Sequence, residues 1–170
     1  MYKFLLLLFS LTIIGVAGAT DFNHQMGGHC YTVDIPDYMN KTYTLNKVAS
    51  LQYMNLELET YMIIIEDSKD HLDSTGVIFT GPKNFLEAFT TNYLLDAENR
   101  KQTETISYNK NGYNYAQCEL SWNQSGLDFF MLVSIVETKT HYYKVLTWTL
   151  LSQKDDILDD FQVIVHSLRD

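Results

Sequence analysis

The chain has 170 residues, of which 12 are Lys or Arg and 21 are Asp or Glu, so its formal net charge at pH 7 is −9. This acidic surplus argues against nucleic acid as a partner, because phosphate backbones are bound by an excess of Lys and Arg. It also disfavours docking on anionic lipid headgroups. The length suits one domain that buries enough apolar surface to fold without disulfides, and the charge favours a soluble monomer.

Residues 1–19 have the pattern of a secretory signal peptide. Lys3 supplies a positive charge, residues 4–16 are almost entirely apolar, and Ala17 and Ala19 are small residues of the kind that signal peptidase accepts. The apolar run is shorter than the stretch of about 20 residues that spans a bilayer. We therefore expect cleavage near Ala19, no transmembrane segment in the mature chain, and a secreted or periplasmic location.

The first part of the mature chain combines a loose segment with strands. Residues 20–29 are mostly polar and contain a Gly-Gly pair, which predicts a flexible N-terminal tail. Apolar and polar residues alternate over 31–35, which predicts a half-buried strand that Pro36 ends. A second strand is predicted around 49–55. Residues 61–65 are apolar at every position, which predicts a central strand covered on both faces.

A helix is predicted after the acidic stretch 66–76, which we interpret as a loop or a single helical turn. The sequence Thr80-Gly81-Pro82 favours a helix start, because a hydroxyl residue can cap the first turn and proline fits within it. The apolar residues that follow share one helical face: Phe85, Leu86, Phe89, Tyr93 and Leu94. This helix is expected to end within 96–100.

The C-terminal half predicts an antiparallel meander followed by a helix. Its strands are predicted near 106–108 and at 113–122, 127–137 and 141–151, with turns between them. Ser152 is predicted to cap the final helix. The apolar residues of that helix form one continuous stripe: Ile157, Leu158, Phe161, Ile164, Val165 and Leu168.

The predicted fold class is α+β, with residues 30–170 forming one domain. We expect a central antiparallel sheet of about six to seven strands flanked by helices, with the C-terminal amphipathic helix packed on it.

Three stretches of the chain carry a family resemblance: an opening strand YTVDIP, an aromatic last strand HYYKVLTWTL and a closing helix FQVIVHSL. With the order of elements between them, residues 30–169 resemble the Mog1/PsbP-like group. The resemblance implies a central antiparallel sheet flanked by helices. Members of that group are mostly adaptors, among them photosystem accessory subunits, a nuclear GTPase-binding factor and bacterial secretion-linked chaperones. Their functional residues are not shared, so the resemblance implies no site residues here.

One short segment contains several residue types that bind metals: His24, Met26, His29 and Cys30. Soft donors of this kind select copper or zinc, although their spacing matches no standard site and a solvated tail is the simpler interpretation. Metal binding is kept as an alternative function, and no cofactor is expected. A disulfide between Cys30 and Cys118 is left open, because export permits it whereas strand alternation places Cys118 on an apolar face and Cys30 on a polar one.

The sequence contains no G-x-S-x-G, C-x-x-C or H-E-x-x-H motif, which favours a non-enzymatic protein. A small secreted hydrolase with dispersed acids and His141 or His71 as base is kept as an alternative. His71 lies in the acidic stretch, which lacks the ligand order of a calcium loop and favours a charged connection. His166 lies beside the apolar stripe of the last helix and is interpreted as a boundary residue.

Aromatic residues are the remaining surplus in the predicted strands. Alternation places Tyr113 and Tyr115 on the face opposite the apolar positions of their strand, where tyrosines can form a recognition surface. Tyr142 and Tyr143 are further candidates, although cross-strand pairing explains any one of them more simply. The sequence therefore predicts an exported, non-enzymatic binding or accessory module that recognises a protein partner through its sheet face and loops.

Overall fold

The computed structural model describes residues 19–29 and 31–170. The predicted signal peptide, apart from Ala19, and Cys30 lie outside these residues, so the disulfide stays a prediction. The strands are β1 (Phe22–Gly27), β2 (Tyr31–Pro36), β3 (Asn40–Lys41), β4 (Leu51–Asn55), β5 (Thr60–Ser68), β6 (Glu98–Gln102), β7 (Ile106–Lys110), β8 (Tyr113–Gln124), β9 (Leu127–Glu137) and β10 (His141–Leu150). The helices are α1 (Lys69–Ser74), α2 (Pro82–Thr90) and α3 (Lys154–Ser167). No helix among the described residues is long and apolar enough to cross a membrane.

Eight strands form one antiparallel sheet in the order β3-β4-β5-β10-β9-β8-β6, with β7 also paired to β8. Both β6 and β7 pair with β8 because that strand is 12 residues long: β7 takes its first half and β6 its second. The α+β class and the meander from β7 to β10 are confirmed. The sheet has more strands than predicted, and β1 and β2 form a separate two-stranded hairpin.

The two faces of the sheet are buried by different elements. Helix α3 and strand β2 cover one face, and α2 with the turns after it covers the other. Strand β5 shows both environments, since Met62 and Ile64 belong to the core under α3 whereas Ile63 belongs to the core under α2. The prediction of a central strand covered on both faces is therefore confirmed.

Helix α3 closes the larger core as its apolar stripe predicts. Its inward residues are all buried: Ile157, Phe161, Ile164, Val165 and Leu168. The predicted cap at Ser152 is wrong, because Ser152 lies within a 3-10 turn over Leu151–Gln153 and the helix begins at Lys154. Lys154 is then held by an ion pair of 2.6 Å between its Nζ and Glu119 Oε2 on β8.

The prediction of a flexible tail over 20–29 is wrong, because β1 pairs with β2 along its whole length. The ring of Tyr31 lies so close to Gly27 that a Cβ atom at position 27 would collide with it. The hairpin is also tied to α3: the Asp34 amide donates to Ser167 Oγ (2.9 Å), and Thr32 and Arg169 exchange two backbone hydrogen bonds.

Helix α2 ends earlier than the apolar spacing predicts. The chain leaves the helix after Thr90, and Leu94 adopts a left-handed conformation with φ of 54°. Arg100 stabilises this ending, since its guanidinium donates to the carbonyl oxygens of Thr90 (2.9 Å) and Tyr93 (3.0 Å). Arg100 belongs to β6, an exposed polar edge strand without the alternation from which the other strands were predicted.

Substitution of Phe161 tests the closure of the core by α3. We expect Phe161→Ala to lower the free energy of unfolding by about 3–5 kcal/mol, because this fully buried ring leaves a cavity. Val163→Ala is the matched control on the outward side of the same helix, where the side chain is 39% exposed; it should change stability by less than about 0.5 kcal/mol. Urea unfolding curves measure both values, and equal losses would contradict the packing described.

Candidate functional site

An open groove of about 630 Å³ runs along the outward side of α3. We call it the α3 groove. The β1–β2 hairpin forms one side, the end of β7 the other, and the last residues of the chain close one end. Its ionisable lining residues are His24, Asp34, Lys110, Asp159, His166 and Arg169.

The floor of the groove is the outward face of α3. Asp159, Val163 and His166 recur at spacings of four and three residues, which places them on one helical face. Asp159 and His166 are separated along the helix by about 10 Å, so the groove has an acidic residue towards one end and an imidazole towards the other. Val163 lies between them and supplies apolar surface.

The hairpin side of the groove is held in register with the helix. His24 lies opposite Asp34 in the β1–β2 pairing, and its Nδ1 is 2.8 Å from Asp34 Oδ1. The His24 side chain is largely exposed and that of Asp34 partly so, so this pair adds little to stability. The bond from the Asp34 amide to Ser167 Oγ fixes the position of the hairpin against the end of α3.

His166 joins the helix to the strand on the other side. Its Nδ1 is 3.0 Å from Lys110 Nζ, and its Nε2 is 2.7 Å from the Tyr108 hydroxyl. The Tyr108 ring stacks on the buried ring of Tyr115 with centroids 5.1 Å apart and an interplanar angle of 3°. Both His166 contacts are therefore made by residues of β7, which pairs with β8 along its whole length.

The contacts of His166 determine its protonation. Burial, reinforced by the positive charge of Lys110, lowers the pKa of His166, which favours the neutral imidazole at pH 7. An ammonium group has no acceptor, so Lys110 Nζ must donate to Nδ1. The ring proton then lies on Nε2 and is donated to the Tyr108 oxygen. Burial raises the pKa of Tyr108, so its hydroxyl stays protonated.

Arg169 forms the end of the groove. Its Nη1 donates to the carbonyl oxygens of His166 (2.8 Å) and Leu168 (2.6 Å), at the C-terminal end of α3. These bonds satisfy carbonyl groups that a helix leaves without intrahelical partners. They also hold the guanidinium beside His166.

No protein-family model matches the sequence, and no curated protein matches it significantly. Two solved structures are similar over most of the chain. The solution structure of cyanobacterial PsbP (CyanoP) from Synechocystis sp. PCC 6803 has a TM-score of 0.62 at 12% identity, covering 94% of this chain and 98% of that one. The crystal structure of LpqN, involved in cell envelope biogenesis of Mycobacterium tuberculosis, has a TM-score of 0.59 at 9% identity, covering 89% and 91%. The chain has the PsbP/Mog1-like fold.

The predicted tyrosine surface is not available in this PsbP/Mog1-like fold. Tyr115 and Tyr143 are completely buried and Tyr142 is 4% exposed, so only Tyr113 reaches solvent in part. Alternation assigned Tyr113 and Tyr115 correctly to the face opposite the apolar positions of β8, but α3 covers that face. Tyr142 lies on the other face, where its ring stacks on Phe85 of α2 at 4.9 Å.

Three of the predicted metal ligands, His24, Met26 and His29, are among the described residues, and the two histidines have partners other than a metal. His24 pairs with Asp34, Met26 is 68% exposed, and His29 Nδ1 lies 3.2 Å from Glu66 Oε1. Within residues 19–29 and 31–170, no group of three or more His, Cys, Asp or Glu side chains is arranged to hold a metal ion. Since Cys30 lies outside these residues, metal binding by this cluster stays a prediction.

The residues considered for catalysis are dispersed. His141 Nδ1 lies 3.9 Å from Asp170 Oδ2 at one end of the sheet, and His71 lies on the exposed helix α1. Nearby acids are separately ion-paired: Asp67 Oδ2 with Lys144 Nζ and Glu137 Oε1 with Lys69 Nζ, both at 2.8 Å. Burial raises the pKa of Cys118 to about 11, so this thiol is a poor nucleophile.

The charged groove residues that the sequence did not identify as site residues are Lys110, Arg169, Asp34 and Asp159. Lys110 falls between two predicted strands, and in the structure it reaches a histidine 56 positions later in the chain. No local pattern marks such a contact. Asp159 could have been found, since its helical spacing of seven residues from His166 places the two on the same side of the helix.

The His166 site predicts a specific loss of stability on acidification. Its folded pKa lies below the unfolded value near 6.5, so between these two values the unfolded chain binds more protons and stability falls as the pH falls. His166→Gln removes this dependence and should flatten the stability curve between about pH 7.5 and pH 5. Above about pH 5 the carboxylates contribute little.

His71→Gln on the exposed helix α1 is the control and should keep the wild-type slope. Urea unfolding measured across this pH range decides between the variants. An unchanged slope in His166→Gln would contradict a neutral, buried imidazole.

Proposed function

We propose that this chain is an exported, non-catalytic accessory protein that binds a segment of a protein partner in the α3 groove. The observation that carries the proposal is the groove itself: an open surface of about 630 Å³ with fixed charges of both signs around an exposed apolar residue. Pockets for small molecules are mostly enclosed and apolar. Protein interfaces instead combine an apolar centre with a polar rim.

The arrangement of the lining favours a polypeptide ligand. Val163 is 39% exposed in the middle of the floor. Asp159 lies towards one end, and Lys110 and Arg169 lie towards the other. An extended segment can place an apolar side chain on Val163 and polar side chains at both ends.

The groove is also preorganised. Backbone hydrogen bonds between Thr32 and Arg169 (2.8 and 2.9 Å) fix the hairpin to the end of α3, and His166 fixes α3 to the β7–β8 pair. Rigid walls of this kind reduce the entropy lost on binding. The proposal of export rests on the signal-peptide pattern of residues 1–19.

Site-specific crosslinking tests the binding surface. With a photo-crosslinking residue in place of Val163, in the full chain and in its native cells, we expect one discrete adduct. The same residue in place of Val48, a 72% exposed position before β4, is the control and should not yield that adduct. The captured protein, once purified, should bind the unlabelled chain directly. Equal capture from both positions, or capture from Val48 alone, would overturn the proposal for this surface.

Export has its own test. The protein recovered outside the cytoplasm should begin at Thr20, as mass spectrometry of the intact chain can show. Ala19→Arg should block processing, because signal peptidase requires a small side chain there; Thr20→Ser is the control beyond the cleavage point. A cytoplasmic protein that retains residues 1–19 would contradict export.

A further inference from the structure

Lys110 and Arg169 at the basic end of the α3 groove, and the Tyr108 hydroxyl beside it on His166, carry donor hydrogens without an acceptor among the described residues. We infer that Lys110, Arg169 and Tyr108 bind a carboxylate of an acidic segment in the partner. This inference rests on the proposed function and specifies the chemistry of the segment.

The hydrogen-bonding arrangement around His166 leaves the Tyr108 hydroxyl with a hydrogen to donate. Because Lys110 donates to Nδ1, the imidazole donates its own proton from Nε2 to the Tyr108 oxygen. The hydroxyl of Tyr108 therefore accepts this bond, and its own hydrogen is left over. Among the described residues, no other hydrogen-bond partner is found for this hydroxyl.

The two basic residues Lys110 and Arg169 differ from several other lysines of the chain in their ion pairing. Lys69, Lys144 and Lys154 each form an ion pair with a carboxylate of the same chain. In the part of the chain that the structure describes, neither Lys110 nor Arg169 has such a partner, although the chain carries 21 acidic residues. These two cations line the same end of one groove.

The guanidinium of Arg169 is held in place for a ligand. Nη1 is bound to two carbonyl oxygens of the chain, whereas Nε and Nη2 have no acceptor among the described residues. A guanidinium that is already oriented loses less entropy when it binds a carboxylate. Charge-assisted hydrogen bonds to carboxylates are about twice as strong as neutral ones.

The acids of the groove set the direction of the segment. Asp34 is the acid near the basic end, and the imidazole of His24 already lies against it at 2.8 Å. Asp159 lies two helical turns away from His166, about 10 Å along α3. A segment with its carboxylate at Lys110 and a neutral or basic residue near Asp159 therefore complements the charges at both ends of the groove.

Binding of defined peptides tests the inference. The probe is a fluorescent peptide with three consecutive aspartates flanked by glycine and serine, and the matched probe carries asparagines instead. Fluorescence anisotropy with the full mature chain should show at least about tenfold tighter binding of the aspartate peptide, the size expected for one charge-assisted hydrogen bond. Equal affinity for both peptides would overturn the inference.

Variants locate the binding. Lys110→Gln and Arg169→Gln should each weaken the aspartate peptide about tenfold, and Tyr108→Phe, which keeps the stacked ring, should weaken it several-fold. Lys139→Gln, in the exposed turn before β10, and Tyr43→Phe, 77% exposed, are the controls. A wild-type amide NMR spectrum confirms that each variant is folded. Loss of affinity in the controls but not in the groove variants would overturn the inference.

Inorganic phosphate distinguishes the source of the anion. It should displace the aspartate peptide only at concentrations well above the peptide's Kd; displacement below that Kd would mean that the site takes phosphate and would overturn the inference. The crosslinking experiment tests the partner surface independently of carboxylate recognition. If the Val163 position captures a partner but the groove variants do not weaken the aspartate peptide, the partner surface stands and carboxylate recognition fails.

Discussion

The burial of the α3 stripe against the sheet is the constraint on which the rest of the structure depends. Phe161, Ile164 and Val165 are completely buried against one face of the sheet. Because these residues fix the inward face of the helix, they also fix which residues face outward. The floor of the groove is therefore a consequence of core packing, and the hairpin bonded to Ser167 becomes its wall.

The spacing of apolar residues made most of the fold predictable, because each well-predicted element carries its own apolar pattern. Residues 61–65 are apolar throughout and lie in the doubly covered strand β5, and the α3 stripe is buried as its spacing indicates. The missed strands are β1, β3 and β6, which lack an apolar alternation of their own and are defined by the strands they pair with. The end of α2 was missed for a similar reason, since Arg100 acts there from another element.

The candidate site was less predictable, because a site is a convergence of distant residues. Alternation placed Tyr115 on the correct face, yet it cannot reveal that α3 covers that face. The interpretation of His166 as a boundary residue was consistent with its half-buried position. Its role follows from Tyr108 and Lys110, which lie more than 50 positions earlier in the chain.

The net charge of the molecule limits how an acidic segment can reach the basic end of the groove. A strongly acidic protein repels an acidic partner at long range, but at physiological ionic strength this repulsion is screened beyond about 8 Å. Hydrogen bonds from Lys110 and Arg169 act within that distance. At the proposed site, charge would therefore contribute specificity after contact and would not accelerate the encounter.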